Sequence, residues 1–315
     1  MIEIFKTNDF TRKIESLNKI EKGVWINIYE PTEEEIEYIT KNTGVEKAFI
    51  EDALDKQERS HIDTQDDQVF ISVNVPVSAK TSYSGHYNTI PVGMIIVRDD
   101  YIITVASEEL DALKSITSEK LILGEFVTYK KSRIIFQVLY KVAEEYITYI
   151  ERVNKDIEKF EHRLEKSMEN KELLKLLYFQ KSMVYFDASL KSNQTVIERL
   201  RRGKIIKLYE EDEDILEDAS IENRQAMEMV TTYSEILNGM IEVFGTMVSN
   251  NLNIIMKFLT SITILISIPT LIASIIGMNV IFPFFTGTAG FWCIMAISIA
   301  ATVLVWKFLK NRDMM

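Results

Sequence analysis

Between Asn253 and Gly277 the groups that can offer an oxygen to a ligand keep to one helical interval. Asn253, Met256, Thr260, Thr263, Ser267, Thr270, Ser274 and Gly277 follow one another at steps of three and four residues, the spacing that puts side chains on one face of an α-helix. Apart from Met256 they are hydroxyls, an amide or a glycine, and the residues between them are mostly Ile and Leu. No carboxylate, ammonium or imidazole interrupts this face. It can therefore meet a cation that keeps its water, but it cannot relay protons, which would need buried Asp, Glu or His. Small and hydroxyl-bearing residues also serve plain contact between membrane helices, so the stripe by itself leaves both readings open.

A second concentration of chemistry is the run EEDEDILED at 210–218. Carboxylates this dense repel one another unless a cation lies between them, and as a helix start they also suit the macrodipole. Other chemistries find little support. Cys293 is the single cysteine, and the histidines at 61, 86 and 162 are scattered, so no thiol or imidazole metal cluster is expected. There is no GxxxxGK[ST] or GxGxxG run to cradle a nucleotide. No nucleophile–base pair stands out, so an enzyme is not expected. A net charge of −11 would repel a phosphate backbone.

The elements that must position these groups follow from composition. Phe258 to Trp306 is a run of 49 residues without Asp, Glu, Lys, Arg or His. It holds two segments near the ~20 residues needed to span a bilayer: FLTSITILISIPTLIASII (258–276) and FWCIMAISIAATVLVW (291–306). Between them GMNVIFPFFTGTAG has turn composition. Lys257 precedes the first segment, and Lys307, Lys310 and Arg312 follow the second. Positive flanks stay cytoplasmic, which places both termini inside and the link outside. MIEIFKTNDFTRK lacks an apolar h-region, so no signal peptide is expected.

The acidic remainder divides near residue 125. Residues 1–125 read as a cytosolic α/β domain. Thr32 and Glu35 form a capping box after Pro31, opening a helix that Gly44 ends. Glu46–Leu54 reads as a second helix, and the runs at 24–29, 69–75, 93–98 and 101–107 read as strands, with Asp99-Asp100 as a hairpin turn. Residues 126–252 read as long helices. Ile135, Leu139, Val142, Tyr146, Ile150, Val153, Ile157, Phe160 and Leu164 give one; Lys171–Leu200 gives its antiparallel partner, with the link near 167–171. A third helix is expected after the acidic run, with Ala226, Val230, Tyr233, Leu237, Met240, Phe244, Met247, Asn251, Ile254 and Phe258 as its seam. That pattern enters the first apolar segment without a breaker. Residues 253–315 form the membrane domain: a first span at about 253–276, an outer loop at 277–290, a second span at about 291–308 and a basic tail.

The first span closes in Gly277-Met278-Asn279. In that motif and its place, and through NNLNIIMKFLT (250–260), SIPTLIASIIGMN (267–279) and IEDALDKQERSHI (50–62), the chain resembles the CorA family of divalent-cation transporters. The resemblance implies a homopentameric, channel-like membrane protein: an α/β cytosolic domain, a long helical stalk and two C-terminal transmembrane helices. It implies a ring of Asn279 amides and Gly277 carbonyls holding a hydrated cation. It implies that Asn253, Met256, Leu259 and Thr270 face the pore, with Met256 and Leu259 as its apolar constriction. Asp218 matches the family's regulatory interfacial carboxylate, and Lys307, Lys310 and Arg312 its basic belt. The chain departs from the family at Ser267, at Ile276 and in the acid-free link 280–290.

The expected function is import of hydrated Mg²⁺ across the plasma membrane down the membrane potential, gated by cytosolic Mg²⁺ at subunit interfaces. Mg²⁺ is then both cargo and regulator, without nucleotide, and the partners are other copies and the bilayer, not nucleic acid. The alternatives are a Zn²⁺, Co²⁺ or Ni²⁺ transporter on the same fold, or a membrane-anchored sensor without transport.

Overall fold

A computed structural model describes residues 1–8, 13–78, 86–117, 127–164, 170–203, 205–278 and 287–312. The chain forms two compact units, Met1–Gly239 and Met240–Met315.

The first unit is built on a seven-stranded sheet in the order β2-β1-β3-β7-β6-β5-β4. The strands are β1 (Ile2–Thr7), β2 (Ile14–Leu17), β3 (Trp25–Tyr29), β4 (His61–Gln65), β5 (Gln68–Ser78), β6 (Tyr87–Val97) and β7 (Tyr101–Ala106). Neighbours run antiparallel except β3 and β7, which pair in parallel with Ile26 opposite Ile103. The four long β-rich runs of the sequence are the middle of this sheet. The outer strands β1, β2 and β4 escape sequence reading because they are short or rich in polar residues.

Alternation sorts the side chains onto two faces. On one, Ile26, Ile28, Phe70, Ile95, Ile103 and Val105 meet two helices, α1 (Glu33–Thr43) and α2 (Lys47–Leu54). The expected capping box opens α1: Glu35 N donates to Thr32 Oγ1, and Thr32 N donates to Glu35 Oε2. Gly44 ends it at φ 75°, a left-handed conformation that a side chain would oppose. Gly93 lets α2 come close, since a Cβ there would lie 2.5 Å from Ala53 Cβ. The β6–β7 turn lies one residue earlier than expected. Arg98 and Asp99 carry its positive φ angles of 47° and 54°, and Asp100 N closes it on Val97 O. Two consecutive positive angles are what the twist of a tight hairpin demands.

The other face is covered by long helices. The short α3 (Asp111–Thr117) leads on, beyond residues 118–126, to α4 (Lys131–Leu164) and α5 (Asn170–Arg201). The seam from Ile135 to Phe160 is buried as its spacing requires, and most of the 167–171 link lies outside the described residues. Polar groups join these layers. Asn193 Nδ2 and Tyr146 Oη both donate to Asn74 O, while Asn74 N donates to Asn193 Oδ1. Tyr87 N donates to Ser182 Oγ.

The helix α6 (Glu210–Ile276) runs 67 residues and passes through the division between the units. It begins at the acidic run, not after it. Asp212 is fully buried and accepts from Arg133 Nε at 2.8 Å and Ser132 Oγ at 2.9 Å. Glu211 accepts from Lys130 and Arg133, which holds its carboxyl below the usual range. Two acids of the run are thus pinned by cations, and acids in a first turn suit the helix dipole, so the run is itself helix.

In the second unit, the later turns of α6 are joined by α7 (Gly287–Lys310). This helix opens four residues before the expected Phe291, because GTAG carries no proline to bar it. Gly287 to Gly290, expected in the outer loop, are therefore part of α7. Both α6 and α7 are long and apolar enough to cross a membrane.

Candidate functional site

The stripe expected on the first span lies on one uninterrupted helix. Asn253, Met256, Leu259, Thr260, Thr263, Ser267, Thr270 and Ser274 are all exposed in the single chain. Thr263, Ser267, Thr270 and Ser274 line a shallow groove with four apolar residues, Ile264, Ile266, Ile268 and Leu271. Of these, Ile264 and Ile268 are only half-exposed, whereas the four hydroxyl residues are exposed. The fully buried polar residue of this segment is Ser261, which sequence reading left unremarked; its place off the stripe was the available signal.

The hydroxyl geometry decides what such a face can offer. Thr263 Oγ1 donates to Leu259 O at 2.8 Å, Ser267 Oγ to Thr263 O at 2.7 Å, and Thr270 Oγ1 to Ile266 O at 2.9 Å. Each hydroxyl hydrogen is therefore spent on its own helix. What remains outward is oxygen lone pairs. Water bound to a cation points its hydrogens away from the metal, so a row of acceptors complements a hydrated cation. Pro269 removes one backbone donor within the helix, and Thr270 supplies a hydroxyl to the adjacent carbonyl.

At the end of the stripe Gly277 N donates to Ala273 O at 2.9 Å and Met278 is exposed. A Cβ at Gly277 would crowd the Ala273 carbonyl at 3.1 Å. Asn279 lies outside the described residues. At the end of α7, Lys307, Lys310 and Arg312 are exposed; Lys310 lies 5.2 Å over the Trp306 ring and Arg312 5.7 Å over Phe308. Cations paired with aromatic rings suit a membrane interface.

Asp218 is half-buried on α6, in the first unit. Burial, with the negative charges of Glu144, Glu222 and Asp218, raises the Tyr140 phenol to about 12. These three carboxylates therefore act on one spot. Among the described residues, however, no three of His, Cys, Asp and Glu gather closely enough to hold a metal within one chain.

Comparison with known proteins places these features. The cobalt/magnesium transport protein CorA of Methanocaldococcus jannaschii is 25% identical over 300 residues, 92% of this chain and 90% of that protein. The protein of the same name from Thermotoga maritima is 20% identical over 313 residues, 98% of this chain and 88% of that protein. The complete structure of the CorA magnesium transporter from M. jannaschii superposes with a TM-score of 0.82 at 24% identity, covering 98% of this chain and 96% of that one. Residues 21–311 match the family described as CorA-like Mg2+ transporter protein, which takes in strands β3 to β7, the long helices and both apolar helices, and the chain belongs to that family.

Proposed function

We propose that this chain forms a homopentameric channel that imports hydrated Mg²⁺ across the plasma membrane, with both termini cytoplasmic. The observation that carries the reading is the uncharged polar face of α6, on which Thr263, Ser267 and Thr270 turn their hydroxyl hydrogens back onto the helix. Mg²⁺ gives up water reluctantly. A ring of five such faces would solvate the hydrated ion without stripping it, and a wall without fixed charge would not trap it. Five Asn279 amides at the mouth, with the Gly277 carbonyls, complete the selecting ring, and Met256 with Leu259 forms the narrow apolar part. One helix cannot enclose a pore, so the reading requires several copies. The driving force is the membrane potential, worth about 4.6 kcal/mol per 100 mV for a divalent ion.

Gating belongs to the same proposal. Among the described residues Asp218 has no two other His, Cys, Asp or Glu side chains close enough to share a metal, so a regulatory Mg²⁺ there would be completed by an acid of a neighbouring copy. With the ion bound the interface closes; without it like charges push the copies apart. Asp218→Lys should replace the ion with a fixed positive charge. Limited digestion of the solubilised oligomer should find wild type cleavable without Mg²⁺ and this variant resistant. Identical digestion of wild type at every Mg²⁺ concentration would remove gating from the proposal.

The test of transport is metal uptake into reconstituted vesicles with an imposed voltage. Uptake of Mg²⁺ that rises with inside-negative potential supports the reading. Binding without flux would favour a membrane-anchored sensor. The relatives from M. jannaschii and T. maritima are both cobalt/magnesium transport proteins by name, which favours Co²⁺ as a second cargo. Competition by Co²⁺, Ni²⁺ and Zn²⁺ in the same vesicles ranks them.

A further inference from the structure

A cleft of about 690 Å³ opens in the first unit where the β4–β5 and β6–β7 turns approach the starts of α4 and α6. Its volume lies in the range of small-molecule sites. On a chain of net charge −11 its lining is unusual in holding four cationic side chains, Arg98, Lys130, Lys131 and Lys207. Lys130 and Lys131 are engaged with Glu211 and Asp99, each at 2.9 Å. Arg98 and Lys207 form no ion pair among the described residues; Lys207 rests 4.8 Å over the Tyr209 ring.

Three carboxylates share the wall, Asp66, Asp67 and Asp99. Arg98 N donates to Asp67 O at 3.0 Å, tying the two turns together. Asp66, Arg98 and Asp99 all hold positive φ, between 47° and 54°. Such angles are uncommon for residues other than glycine, and least expected of Arg98. The tyrosines 129 and 209 complete the wall, Tyr129 with 54% of its surface open.

A free polyanion would meet the cations but be repelled by the carboxylates. A bare cation would meet the reverse. A polyphosphate that already carries Mg²⁺ satisfies both, its oxygens toward Arg98 and Lys207 and the metal's waters toward the aspartates. We propose that this cleft binds a magnesium-complexed polyphosphate, of which a nucleoside triphosphate is the form that would also use the open face of Tyr129. The site is distinct from the α6 stripe and does not rest on the transport reading. It also requires no hydrolysis, so it does not conflict with transport driven by voltage.

The test is titration of the full-length, detergent-solubilised chain with a fluorescent ATP analogue, with Mg²⁺ and with chelator. Saturable binding is expected with Mg²⁺ and weaker binding without it. Arg98→Glu and Lys207→Glu should each weaken it about tenfold or more, the scale of a lost charge-assisted hydrogen bond. Tripolyphosphate, as competitor, separates the sources. If ATP competes better and Tyr129→Ala abolishes its advantage, the ligand is a nucleotide; if the two compete equally, phosphate alone is read, and either result supports the site. Elution as the wild-type oligomer checks that the variants fold. No saturable binding up to about 1 mM, or binding unchanged in both charge variants, overturns the proposal.

Discussion

In Met1–Gly239 the large apolar side chains are enclosed by the chain itself: Trp25, Phe70, Phe136, Tyr146 and Phe186 are each less than 2% exposed. In Met240–Met315 comparable side chains stand open, with Ile266 at 65%, Trp292 at 68% and Leu304 at 69%. The seam of α6 records the change along one helix. Ala226, Val230 and Leu237 are buried in the first unit, whereas Ile254 and Phe258, in the second, are 56% and 54% exposed, with the buried Phe244 between the two sets. A continuous heptad pattern therefore does two jobs. In the first unit its apolar residues face a core made by the chain; in the second they need lipid or other copies. Polar groups divide likewise. The first unit holds a buried ion pair and a buried amide network, while the second leaves an outward row of hydroxyl oxygens.

Substitutions can separate the two regimes. The largest effect belongs to the second unit. Asn279→Ala should reduce Mg²⁺ uptake to background while the oligomer still assembles, as checked by vesicle flux and size-exclusion elution. Normal uptake by an assembled variant would remove Asn279 from the selecting ring. In the first unit Asp212→Ala removes the acceptor of the buried Arg133 Nε and leaves its pair with Glu211, at a cost of about 3 kcal/mol. Thermal unfolding of the solubilised chain should move down by several degrees, and a change below about 1 kcal/mol would mean that water reaches the pair.

Next in size is a pH effect at Glu145. Its Oε2 is buried and has no hydrogen-bond partner among the described residues. Burial and the charge of Asp111 raise its carboxyl to about 8, against the opposing pull of Arg152 and the Ala112 N–H. The unfolded chain releases this proton at its ordinary value, whereas the folded chain keeps it until pH rises to about 8. The contribution to stability is therefore complete below the ordinary glutamate range and is lost as pH climbs to about 8. Glu145→Gln should remove that slope and gain about 1–3 kcal/mol at alkaline pH. Melting curves at acid and alkaline pH check it, and an unchanged slope would refute it. The smallest effect tests the stripe, in a background lacking Cys293. Cysteines at Thr263, Ser267, Thr270 or Ser274 should react several-fold faster with water-soluble thiol reagents than cysteines at Ile264 or Ile268. Equal rates would make the stripe a packing face.

Legibility in the sequence followed the same division. The spans, the stripe and the seam could be read because they repeat at a local interval, and α1 because its caps lie three and nine residues beyond Thr32 or Glu35. β3, β5, β6 and β7 were readable as apolar runs. β4, HIDTQ, was not, because an edge strand can be polar and is held by its register with β5. The role of Asp212 was hidden for another reason. Its partner Arg133 is 79 residues away, and nothing local distinguishes it from its acidic neighbours. The cleft beside Arg98 was equally illegible, since it joins two turns and two helix starts far apart in the chain.

The parallel pairing of β3 with β7 bears on how the first unit folds. Asn27 and Thr104, bonded across that seam, are separated by 77 residues. The strands β1 to β3 are adjacent in the chain and can form early, but the sheet cannot close until β7 arrives. Loop closure over such a span comes before its contacts can reward it, so assembly is expected to be slow. Until then Ile26 and Ile28 have only α1, α2 or solvent to cover them, and the open edge of β3 can pair with a strand of another nascent chain. The interval before β7 docks is thus a window in which the first unit is exposed to aggregation.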